Sequence, residues 1–165
     1  MKAGVSLEGL LAAADAVRAG ATAHDAWLSG LELVGIGWAT VELERAAAEL
    51  WEAFGTAGLP DPEWEPALPD GLLGATAWVE HGDVERPAIV LLEPDTESRL
   101  AATLARFGEG VAAVYLQPAG DQGVESSRVG TPSTGPLGTS RIVLAGPTWG
   151  PHVIVVERSR RDQTG

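Results

Sequence analysis

The side chains that could carry chemistry are few, and no known catalytic order links them. The chain has three histidines, His24, His81 and His152, and no cysteine. Disulfides, thiolate metal sites and a cysteine nucleophile are therefore excluded. Glu80 and His81 are adjacent, and with His152 they could in principle make a metal site. The plainer reading is that each is solvated or satisfied locally, as scattered His and Glu usually are. His24 reads as a surface residue, and His81, beside Gly82, as a turn or rim residue. Glu93 precedes Pro94 and reads as a structural group at a strand end. The acid–base candidates are Glu80, Tyr115 and His152. Glu80 shares a strand face with Thr76 and Trp78. If that face is concave, apolar neighbours would raise its pKa toward that of a general base. Tyr115 would need a partner if buried, which a ligand could supply. No Ser-His-Asp order, phosphate loop or dinucleotide fingerprint is present; GIGWAT and GEGVAA lack the strand–turn–helix context.

The stretch from Pro87 to Gln117 must position whatever these groups do. PAIVLLEPD is an apolar run closed by a proline, the mark of a strand buried on both faces. TESRLAATLARFGEG places Leu100, Leu104 and Phe107 at helical spacing, with Asp95 or Thr96 as cap and glycines as stop. VAAVYLQ is again a buried strand. Upstream, Ser6 to Arg18 reads as a helix ended by Gly20, and AHDAWLS as a second short one. LELVGIGWATVE is a strand whose Gly35 and Gly37 mark a bulge or a close approach. LERAAAELWEAFG is a helix that Glu42 caps weakly. LPDPEWEPALPDG is a loop, and GATAWVEHG a strand with alternating faces. The irregular 118–138 stretch, rich in Gly, Pro, Ser and Thr, precedes the strands SRIVLAG and VIVVER, which the turn PTWGPH joins. The order is αα, then β-α-ββ-α-β-loop-ββ, a weak internal repeat.

At 165 residues the chain is long enough for one domain with a real core. No apolar run is long enough to span a membrane, and Glu8 and Asp15 interrupt the only stretch resembling a signal peptide, so a cytoplasmic protein is expected. A formal charge of −12 argues against nucleic acid and anionic membranes and permits a cationic partner. Six tryptophans beside one tyrosine suggest that several indoles line a cavity or an interface.

Three stretches resemble one family. GIGWATVELERA is similar to the opening strand and helix of the vicinal oxygen chelate superfamily, which includes glyoxalases, bleomycin-resistance proteins and methylmalonyl-CoA epimerases. IVLLEPDTESRLAATLARFGEGVAAVYL resembles the epimerase branch, and RIVLAGPTWGPHVIVVE the closing hairpin. The resemblance covers most of residues 31–158. It implies an α+β fold: paired βαβββ modules form a curved mixed sheet around a cup. Here the second module lacks its helix, residues 1–30 form an N-terminal helical appendage, and 159–165 form a disordered tail. Active members hold a divalent metal with ligands on the first, fourth, fifth and eighth strands. In this register those places are Gly35, Val90, Ala113 and Val156, none of which has a side-chain lone pair to offer. No metal and no cofactor is expected.

By the same resemblance the cup floor holds Gly35, Val90, Ala113 and Val156, with Gly37, Leu92 and Tyr115 beside them and Trp78 and Trp149 as walls. The plainer reading makes these residues ordinary core. The expected function is metal-independent binding of a small hydrophobic or aromatic molecule. One alternative is a metal-free isomerase, cyclase or lyase using the same cup. The other is a non-catalytic interaction domain, a homodimer whose missing helix leaves a sheet face for another chain or for residues 6–29.

Overall fold

The computed structural model describes residues 5–82, 86–119, 123–147 and 150–157. Its centre is a curved seven-stranded sheet: β1 (Leu31–Ala39), β2 (Glu65–Pro66), β3 (Ala75–Glu80), β4 (Ala88–Pro94), β5 (Gly110–Pro118), β6 (Ser140–Ile142) and β7 (His152–Val156). The spatial order is β2-β3-β4-β1-β5-β7-β6. β1 runs parallel to β4, β5 runs parallel to β7, and β1 and β5 meet antiparallel at the seam. The two halves thus repeat one plan. Isolated bridges Val129–Val143 and Ser133–Ser140 stand where the second half's additional strand belongs.

Alternation divides the sheet into two faces. Ile36, Leu91, Val114, Leu116, Val153 and Val155 face the helices α1 (Leu7–His24) and α2 (Leu43–Thr56). The other set, including Ala39, Val90, Leu92, Ala113, Tyr115, Ile154 and Val156, lines the inner face, whose end is closed by Leu100 of α3 (Arg99–Phe107). α1 is one continuous helix through Gly20, followed by a tight helical turn at Ala26–Gly30, not the two short helices expected. Its buried Leu7, Leu10 and Ala14 pack in the same core as Val114, Leu116, Val153 and Val155. The N-terminal helix thus stands where the second half lacks its own, and of the two expected covers for that sheet face, another chain or residues 6–29, the second is present.

Carboxylates in β4 and just before β5 fix the β1–α2 junction. Glu93, not Glu42, caps α2 by accepting the Leu43 N–H at 3.1 Å. Glu109 accepts from the Thr40 hydroxyl at 2.7 Å and the Val41 N–H at 3.0 Å, and pairs with Arg45. Burial works against its charge, but these donors outweigh it and hold its pKa down to about 2. α3 is capped by Ser98, which accepts from the Ala101 N–H, rather than by Asp95 or Thr96. Phe107, expected inward, is exposed.

Candidate functional site

The inner face gathers Gly35, Gly37, Val90, Leu92, Ala113, Tyr115 and Val156 on four adjacent strands, all buried. In register, Gly35 lies beside Ala88 and Tyr115, and Gly37 beside Val90 and Ala113. The strand pairing shifts on both sides of the two glycines, as their sequence predicts. Their lack of side chains has a second use. The Tyr115 ring lies across β1 in the space they leave: a Cβ on Gly35 or Gly37 would be 3.2 or 3.3 Å from ring carbons.

This placement carries the phenol to a residue the sequence did not single out. The Tyr115 hydroxyl donates to Asp70 Oδ2 at 2.8 Å. Asp70 Oδ1 accepts the N–H groups of Leu72 and Leu73, each at 3.0 Å, in a turn entering β3. Both side chains are fully buried. Burial raises the Asp70 pKa, and the three donors offset only part of the rise. Burial, reinforced by the Asp70 charge, holds Tyr115 well above its ordinary value. The pair is a buried polar feature of a face that Val90, Leu92, Ala113, Ile154 and Val156 make largely hydrocarbon.

A strap from the second half closes over the inner face. Leu137 occupies the space that a Gly35 side chain would take, and the Gly71 N–H donates to Thr134 O at 2.9 Å. Beside the strap a groove of about 390 Å³ opens to solvent, with Ala88, Leu137 and Val156 toward the inner face and His81 and Arg86 on the rim.

The remaining candidates fall elsewhere. Trp78 is on the helix-facing side, so the inner wall of β3 is made by its neighbours Ala75, Ala77 and Val79. Glu80 also points away from the hollow. Arg86 donates to both its oxygens, at 2.9 and 3.0 Å, and lies 4.8 Å from the Phe54 ring centroid. Trp149 and the 159–165 tail lie outside the described residues. Trp27, Trp38, Trp64 and Trp78 pack on the helix side and Trp51 is exposed, so no described tryptophan lines the inner face.

His152 does face inward, at the α3 end, where Nε2 is 3.0 Å from the Thr103 hydroxyl oxygen. Burial, helped by the Arg99 charge, lowers its pKa to about 4. A folded-state value below the unfolded 6.5 means that acid protonates the unfolded chain first. Stability should be full above pH 6.5 and fall by about 2–3 kcal/mol toward pH 4. Urea titrations across this range should show the loss, and His152→Gln should flatten it. Glu109 adds a separate, lower limb, present above the ordinary carboxylate range and lost as pH falls toward about 2.

The places assigned to metal ligands by resemblance are hydrocarbon or bare backbone, and Leu137 fills the space at Gly35. Among the described residues no group of three or more His, Asp or Glu is poised to hold an ion. Asp70 already accepts three hydrogen bonds, and His81 sits across the rim near Glu65 at 3.5 Å. The described residues at these places do not fit a divalent metal.

No protein-family profile and no curated protein matches the sequence. Solved structures do match. Methylmalonyl-CoA epimerase from Mycobacterium tuberculosis superposes with a TM-score of 0.61 at 16% identity, over 81% of this chain and 91% of that one. A methylmalonyl-CoA epimerase in complex with methylmalonyl-CoA and NH4+ gives 0.59 at 19%, over 79% and 96%. A hypothetical protein from Bacillus halodurans gives 0.56 at 18%, over 79% and 96%. The repeat, the strand order and these neighbours agree, and the chain has the vicinal oxygen chelate, or glyoxalase, fold.

Proposed function

We propose that this protein binds a small apolar molecule in the hollow, without a metal, after the Leu137 side chain moves aside. The reading is supported most by one observation. Leu137, borne on a loop, fills the space over Gly35 and also lines the open groove of about 390 Å³. One side-chain movement would join groove and hollow. The neighbours' ligand, a CoA ester, is not carried over, because the formal charge of −12 disfavours a polyanion. No helix among the described residues is long and apolar enough to cross a membrane, which accords with a cytoplasmic binder.

Leu137→Ala tests the reading. Native-state binding raises the melting midpoint in proportion to occupancy. Small apolar and aromatic compounds should raise it in the wild type and more strongly in the variant, whereas divalent metals should leave both unchanged. A divalent ion that stabilises the wild type, or a compound effect that Leu137→Ala does not increase, would overturn it. The second reading, a metal-free isomerase, cyclase or lyase, is favoured by the Tyr115–Asp70 pair, since a phenol bonded to a carboxylate can pass a proton. Turnover of a bound compound, lost in Tyr115→Phe, would decide for it.

A further inference from the structure

We infer that the hollow selects a hydrogen-bond donor, best a cationic amine, and rejects a carboxylate; the inference rests on the binding reading above. The argument starts from Asp70. It is fully buried, and no cationic side chain pairs with it among the described residues. Its two oxygens face three donors: two backbone N–H groups and the phenol. The backbone N–H groups can only donate, and the Tyr115 hydroxyl donates as well, so the carboxylate accepts three hydrogen bonds and gives none. The phenol's single proton is therefore committed to Asp70 Oδ2. What the Tyr115 oxygen can still offer is its lone pairs, made richer by the negative charge behind them. A buried uncompensated charge is costly, and a ligand cation or N–H donor would offset part of that cost. A ligand carboxylate would meet lone pairs and a like charge.

The sign of the preference follows from which atom holds the shared proton, so it can be reversed. Asp70→Asn keeps a carbonyl oxygen for the Leu72 and Leu73 N–H groups. Its amide then donates to the Tyr115 oxygen, and the phenol proton is free to turn to the hollow. The variant should favour acceptors.

The chain has one tyrosine, so fluorine-labelled tyrosine gives one resonance that reports the hollow directly. The probes are phenethylamine, phenethyl alcohol and phenylacetate, titrated into the wild type, Asp70→Asn and Tyr115→Phe, with the melting midpoint as second readout. The wild type should bind the amine about tenfold more tightly than phenylacetate, with the alcohol between them. Asp70→Asn should invert the order, and Tyr115→Phe, followed by midpoint, should bind all three alike. Phenylacetate binding the wild type as tightly as the amine, or an order unchanged in Asp70→Asn, would overturn the donor selection while leaving hollow binding intact. If no probe moves the resonance or the midpoint, even with Leu137→Ala added, hollow binding itself fails and the inference falls with it.

Discussion

Asp70→Ala is expected to cost about 4 kcal/mol of folding free energy. The change removes little apolar contact, so the loss is polar. The Leu73 N–H and the Tyr115 hydroxyl would be left buried with no acceptor, and the Leu72 N–H would lose its partner as well. Each orphaned buried donor costs about 1–3 kcal/mol, partly offset because a buried charge disappears too. Removing the phenol in the same chain should restore part of the loss. In a double-mutant cycle Asp70→Ala with Tyr115→Phe should therefore be less destabilised than the sum of the single changes, by about 1 kcal/mol or more. Chemical denaturation of the four proteins gives the answer. Strict additivity would mean that the hydrogen bond contributes nothing.

Gly37→Val should cost about 3 kcal/mol, although valine is among the best strand formers. Two effects oppose one another. Replacing glycine within a strand gains up to about 1 kcal/mol of propensity. Against this, the first added carbon would already be 3.0 Å from the Ala113 Cβ and from Leu92 Cδ1, and 3.3 Å from the Tyr115 ring. Two further methyl groups have nowhere to go in a face that is fully buried, and overpacking outweighs propensity. The ring would be pushed off β1, so the Tyr115 resonance should shift as well. A Gly37→Val protein as stable as the parent would show that the ring does not need this gap.

Much of the fold was legible because alternation is a property of single residues. Val90 and Leu92, Ala113 and Tyr115, and Gly35 and Gly37 could be placed on one side of their strands from spacing alone. Gly20 misled because glycine's helix cost is only about 1 kcal/mol, which the packing of α1 on the sheet overrides. The tryptophans misled because composition says that an indole wants cover, not which face supplies it. Asp70 was hidden in a proline-rich loop and is 45 residues from its partner. The two clues were present separately: a Pro-Asp-Gly turn sequence, and a lone tyrosine in a buried strand needing an acceptor. What joined them was the flat gap at two glycines on a third strand, which no local pattern announces. Leu137 escaped for a similar reason, being one apolar residue in a Gly- and Pro-rich stretch.

The docking of α1 on β5 and β7 also has a bearing on how the protein is made. Ribosomal synthesis runs from the amino end, so this helix emerges long before the segment at His152–Val156 against which it packs. Until β5 and β7 arrive, Leu7, Leu10 and Ala14 travel with their oily side uncovered. Nascent chains halted before residue 152 should therefore stay protease-sensitive and attract chaperones.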